Sequence, residues 1–218
     1  MIQIIPAINV EKFDDLIKQV RAVEPYAGWV HFDVADGTFT SNEIWHEPFD
    51  LLDFKTDLFI EAHLMVARPE KKIDRWLVPW VRRIIVHFET VRDLNEIIKK
   101  CRKAKVEIGV AINPETPEGV LKPFCEKVDL IQILAVKPGL AGQKFDDKAL
   151  RKIHHLRRLC PLSIIEVDGG IQVGVARQAV RAGADILVSA SAIFGTGKSV
   201  EYAIRELKED AIAGLTEE

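Results

Sequence analysis

The feature of this sequence that most constrains its fold is an alternation repeated eight times. Short apolar runs, IQIIPAI (2–8), WVHFDV (29–34), LFIEAHLMV (58–66), RIIVHF (83–88), VEIGVAI (106–112), LIQILAV (130–136), SIIEVD (163–168) and DILVSA (185–190), are separated by longer segments. Several of those segments have helical period and many charges: EKFDDLIKQVRAV, RDLNEIIKKCRKA, DKALRKIHHLRRL, VGVARQAVRAG and, after the last run, SVEYAIRELKED. Strands that are apolar nearly throughout are buried on both faces, which implies a parallel sheet covered by helices. Eight such units in 218 residues, with no Gly/Ser linker and no low-complexity stretch, predict a single domain over 1–218 folded as a closed (β/α)8 TIM barrel. An open doubly wound sheet would usually show GxGxxG after its first strand, where this chain reads PAINVEKF.

Against that apolar background the ends of the runs carry polar residues. Side chains alternate along a strand, so His31 and Asp33 share one face. His63 in EAHLM, His87 and Glu89 in VHFET, and Asp168 in IEVDGG end three further runs. In a barrel, inward residues at the C-terminal ends of strands line the mouth, where active sites form. Each has an ordinary structural use, such as a hydrogen-bonded core histidine or an aspartate capping a helix. Together they point to a site, because buried carboxylates and imidazoles are costly unless paired or metal-bound. His31, Asp33, His63 and Asp168 form a two-histidine, two-carboxylate set. Its mixed nitrogen and oxygen atoms suit one divalent metal ion of the Zn, Fe or Mn kind better than Ca. His87 and Glu89 read as a supporting or structural pair.

Charge and cysteine content narrow the setting. The 30 basic and 33 acidic side chains are interspersed, with a net charge of −3, so no nucleic acid and no membrane surface is an expected partner. The N-terminal MIQIIPAINV lacks a basic start and is too short to span a bilayer. Cys101, Cys125 and Cys160 are odd in number, far apart and without CxxC, and read as reduced thiols of a cytoplasmic protein.

Three later loops are suited to an anion: AVKPGLAGQKF (135–145), DGG (168–170) and SASAIFGTGK (189–198). Their glycines allow tight turns and close backbone approach, and phosphate sites in such barrels usually come from the last loops of the mouth. Taken alone, each is equally well loop punctuation. GTGK (195–198) lacks the rest of a nucleotide-binding P-loop.

These segments resemble a known family. HFDVADG (31–37), AHLM (62–65), VKPGLAGQKF (136–145), EVDGG (166–170) and SASAIFG (189–195) are similar to signature segments of the ribulose-phosphate 3-epimerases, with PAI (6–8) and INP (112–114) also in register. The resemblance implies an isomerase of carbohydrate metabolism, in the pentose phosphate pathway, that interconverts D-ribulose 5-phosphate and D-xylulose 5-phosphate. It implies His31, Asp33, His63 and Asp168 as ligands of one divalent metal ion, which would stabilise an enediolate. It makes Asp33 and Asp168 the acid/base pair, since inverting a carbon next to a ketone takes a proton from one face and returns one to the other. It implies a phosphorylated ketose held by His63, Met65, Gly139, Leu140, Ala141, Gly142, Gly169, Gly170, Ala190 and Ser191. A lid over 137–146 and a homo-oligomer belong to the same expectation.

The chain departs from the family's pattern in five places. Ala7 stands where serine is usual, Ala35 and Leu134 where methionines are usual, and Ala141 and Ala190 where glycines are usual. These changes touch surfaces that hold sugar and phosphate, and leave the metal and acid/base set intact. They keep two alternatives open: a 3-epimerase of another ketose phosphate, such as a ketohexose 6-phosphate, and a non-catalytic member that binds metal or phosphosugar.

Overall fold

In the computed structural model, which describes residues 2–216, all eight apolar runs become parallel strands. They are β1 (Gln3–Ile8) and β2 (Trp29–Asp36), then, after a two-residue strand β3 (Glu43–Ile44), β4 (Phe59–Met65), β5 (Val81–His87), β6 (Glu107–Ile112), β7 (Leu130–Leu134), β8 (Ile164–Asp168) and β9 (Ile186–Ser189). They pair in the order β1-β9-β8-β7-β6-β5-β4-β2, and β1 pairs with β2 through Ala7 beside His31, so the ring closes as a TIM barrel. β3 lies outside the ring, antiparallel to the end of β2. Two residues are too few to leave a pattern, and the sequence reading did not include it.

The five segments of helical period fold as α1 (Phe13–Val23), α2 (Leu94–Ala104), α3 (Lys148–Leu159), α4 (Val175–Ala182) and, after the short α5 (Ser191–Phe194), α6 (Val200–Thr216). In α2 the buried Leu94, Ile97 and Cys101 recur at helical spacing, and Asp93 caps the start by accepting from the Asn95 and Glu96 N–H groups. Such a cap is worth about 1 kcal/mol. The α4 start has only Gly174 as its cap, and the buried Asp210 of α6 reaches across to accept from the Gly174 and Arg177 N–H groups. Three connections are 3-10 turns where a full βα repeat would place helices, at Pro48–Asp53, at Pro69–Lys71 with Ile73–Arg75, and at Glu118–Phe124. Pro123 lies inside the third, where it offers no N–H for a longer ladder, and Pro48 and Pro69 open the other two.

Cysteine usage needs a correction. Cys125 and Cys160 form a disulfide, with Cα atoms 5.4 Å apart across 35 residues of sequence. The fold brings the end of the Glu118–Phe124 turn beside the end of α3, a proximity that spacing along the chain does not reveal. Cys101 is free and buried, as expected, with burial pushing its thiol up to about 12. The argument from reduced thiols to a reducing compartment lapses with the pairing. Among the described residues no helix is long and apolar enough to cross a membrane.

The inside of the barrel holds two groups of side chains. One is apolar, built from Ile5, Ala7, Ile85, Ala111, Leu130, Leu134, Ile186 and Val188. The other is a polar column of His31, Glu61, His63, Arg83, His87, Gln132 and Glu166, all buried. Branched aliphatic residues usually fill such a barrel, so this column is the first structural sign of a site.

Candidate active site

The column begins near the floor. Arg83 of β5 stacks over the Trp29 ring at 4.3 Å and pairs with Glu107 of β6 and, at 2.7 Å, with Glu61 of β4. Glu61 then accepts from His31 Nδ1 at 2.7 Å. With Nδ1 committed, His31 Nε2 is left facing the mouth, buried and without a hydrogen-bond partner, 3.4 Å from Asp33 Oδ1. Burial disfavours a charged His31, but the carboxylates of Asp33 and Glu61 outweigh it and raise the ring's proton affinity well above that of ordinary imidazole.

His63 is fixed from the other direction. Glu89 stays ionised down to about 2: burial opposes this, and His87, Thr116 and the Asn113 N–H more than compensate. Its charge, 3.4 Å from His87 Nδ1, draws the His87 proton to that nitrogen. His87 itself is neutral, pushed to about 4 mainly by burial. His87 Nε2 is then free to accept from His63 Nε2 at 2.9 Å. That leaves the His63 Nδ1 lone pair aimed at Asp33 Oδ1, 3.2 Å away, and Asp168 Oδ2, 3.7 Å away. A lone pair facing two carboxylate oxygens at these distances suits a cation among them.

The four predicted ligands do come together. One atom from each of His31, Asp33, His63 and Asp168 lies within 4.8 Å of all the others. Two imidazole nitrogens and two carboxylate oxygens, with tautomers fixed by Glu61 and His87, fit a Zn-, Fe- or Mn-like divalent ion, and the cluster could hold one. His31, Glu61 and Glu166 make a second, deeper group, but there the Arg83 guanidinium already supplies the positive charge.

The two aspartates differ in proton affinity, a sign that residue types alone leave open. Burial would raise Asp33, but His31 and His63 overcome it and hold it far below the usual carboxylate range. Burial together with the Asp33 charge pushes Asp168 up to about 7. Their strands, β2 and β8, are separated by β1 and β9 around the ring, so the carboxylates reach the mouth from different sides.

Both carboxylates face a solvent-connected cleft. Met65, Leu134, Val136, Ile171 and Val188 form its apolar wall. The loop 137–143, Gly169, Gly170, Ala190 and Ser191 also line it, so nine of the ten predicted substrate-contact residues line one space. His63 is the exception: it is fully buried behind the two aspartates. Gly170 has φ +69°, and a Cβ there would come within 2.4 Å of the Phe145 backbone nitrogen, so glycine is what lets these two loops meet. Ala190 has φ −108°, and Ala141 is not among the positive-φ residues, so neither alanine strains the backbone it replaces glycine in. Ala35 packs with Met65 and Ile44, and Phe39 lies over His87 with ring centres 4.8 Å apart.

The sequence reading missed Glu61, Arg83, Gln132, Glu166 and Asn9. For two of them the signal was present, since Glu61 is two residues from His63 and Glu166 two from Asp168, on the same inward faces.

Fold and site together define a class: a TIM barrel with a two-histidine, two-carboxylate cluster at its C-terminal mouth, beneath glycine-bearing loops. The model of the ribulose-phosphate 3-epimerase family matches residues 3–194, and the chain belongs to that family. It is 35% identical over 212 residues to the chloroplastic ribulose-5-phosphate-3-epimerase of Arabidopsis thaliana, covering 93% of this chain and 75% of that protein. With the ribulose-phosphate 3-epimerase of Bacillus subtilis (strain 168) it shares 33% over 202 residues, 89% of this chain and 93% of the relative. Among solved structures, orotidine 5'-monophosphate decarboxylase from Sulfolobus solfataricus matches with a TM-score of 0.68 over 99% of this chain and 100% of that one, at 14% identity, a likeness of fold. By its family the chain is an isomerase. The chloroplastic relative means that kinship alone assigns no compartment.

Proposed function

We propose that this chain is a metal-dependent ribulose-phosphate 3-epimerase that interconverts D-ribulose 5-phosphate and D-xylulose 5-phosphate by proton transfer at C3. The observation that carries the reading is the pair Asp33 and Asp168, carboxylates from separated strands that share one cleft. Inversion needs one group to accept a proton and another to give one from the other face. In one direction one aspartate takes the C3 proton while the other returns one to the opposite face; in reverse the roles exchange. A divalent ion held by His31, Asp33, His63 and Asp168 would supply Lewis-acid stabilisation of the negative charge developing on the sugar oxygens.

The remaining residues serve orientation and exclusion of water. Met65 and Leu134 present apolar surface to the reacting carbon, and the backbone around Gly142, Gly169, Gly170, Ala190 and Ser191 suits the phosphate. The pentulose substrate is supported by the relatives' names.

The test is incubation with D-ribulose 5-phosphate in D2O, with Mn²⁺, Fe²⁺ or Zn²⁺ and then with chelator. Metal-dependent xylulose 5-phosphate carrying deuterium at C3 is expected, and Asp33→Asn or Asp168→Asn should each lower turnover about 10²–10⁴-fold. Full activity in both variants, or a preference for a ketohexose 6-phosphate run in parallel, overturns the assignment.

A further inference from the structure

Asn9 lies just past β1, two residues beyond Ala7, and its side-chain amide bridges two parts of the mouth. One N–H donates to Asp33 Oδ2 at 2.8 Å, the other to the Gly139 carbonyl at 3.3 Å. The other oxygen of Asp33, Oδ1, is turned towards His63 and His31. The carboxylate therefore has a cluster side and an Asn9 side.

Gly139 is the point at which the loop 137–143 is tied down. Its carbonyl also accepts from Asn42 Nδ2 at 3.0 Å. Within the loop, Gln143 Nε2 donates to the Lys137 and Leu140 carbonyls, so the segment is braced internally. Among the described residues, the loop's hydrogen bonds to the rest of the barrel are the two that end on Gly139. Glycine is required there, since φ is +114° and a Cβ would sit 2.4 Å from Asn42 Oδ1.

We propose that Asn9 is a positioning residue that couples closure of the 137–143 loop to the orientation of the Asp33 carboxylate. The catalytic half of this rests on the epimerase reading; the tie between loop and carboxylate does not. A primary amide with both N–H groups engaged has its plane fixed. When the loop moves away one acceptor is lost, the amide turns about its last torsion, and Asp33 Oδ2 loses a fixed donor. Coupling of this kind is reciprocal, so an oriented Asp33 also steadies the loop.

Hydrogen exchange of residues 137–143, read without substrate, tests the tie. Asn9→Leu keeps similar bulk and removes both donors, and should speed loop exchange about 3–10-fold. Asp33→Ala should speed it as well, but should add nothing in the Asn9→Leu background, the non-additivity expected of one shared network. In turnover, Asn9→Leu should lower kcat about tenfold or more with a smaller change in KM. Asn42→Ala, which removes one of the loop's two ties and keeps the Asn9 bridge, should lose less kcat. Unchanged loop exchange in Asn9→Leu, or additive effects of the two substitutions, overturns the coupling. Should the chain fail to epimerise a pentulose phosphate, the epimerase reading falls, and the exchange cycle still decides the tie.

Discussion

Glu61 does not line the cleft, yet it determines which nitrogen of His31 is left to face Asp33, His63 and Asp168. Residues of this kind typically contribute 10–100-fold to metal affinity. Glu61→Gln should weaken Zn²⁺ or Mn²⁺ binding by about that factor, measured by competition with a chromogenic chelator; an unchanged Kd would mean that His31 keeps its tautomer without the charge. The four clustered residues, His31, Asp33, His63 and Asp168, were legible in the sequence as polar residues in apolar runs. Glu61 and Glu166 were obscured by being one inward position deeper, where a carboxylate has no reason to exist until its partners are known. Arg83 is that partner for Glu61, and it comes from another strand at 2.7 Å. Gln132, which donates to Glu166 at 3.0 Å, is equally invisible along the chain.

At the scale of elements, the turn after β5 is joined to the loop after β6 by one side chain. Glu89 accepts from the Asn113 N–H and the Thr116 hydroxyl. Its proton affinity is lowered from 4.5 to about 2, so its folded form is the more acidic one. The stabilisation is therefore complete above about pH 5 and is lost as pH falls towards 2, reduced by solvent screening at this exposed position. Glu89→Gln should be less stable than the parent at neutral pH, in urea titrations, with the gap closing in acid; a gap that persists at pH 2 would assign the loss to packing. The Cys125–Cys160 bond ties the same region to α3. Closing a loop of this length is worth about 4 kcal/mol on the chain-entropy model. Mild reduction should lower the unfolding midpoint accordingly, and a midpoint unmoved by reductant would show that the link carries no stability. Strands and long helices were readable because periodicity is a local property. The 3-10 turns, β3 and the disulfide were not, because the turns and a two-residue strand are too short to leave a period and the disulfide joins residues distant in sequence.

For the molecule as a whole, closure was predictable from the count of apolar runs, whereas the grouping of the interior was not. Each strand alone reads as apolar with a polar end; only the register around the ring brings those polar positions together across the axis. That gathering affects how the protein can change. Barrels commonly keep stability at the floor and chemistry at the mouth, so the two can be altered separately. Here Glu107 holds Arg83, Arg83 holds Glu61, and Glu61 holds His31. A substitution at the floor is inherited by the histidine–aspartate cluster through three handovers. Freedom to acquire new substrates therefore belongs to the loops over the cleft, and the far end of the barrel, usually the tolerant end, is under the same restraint as the active site.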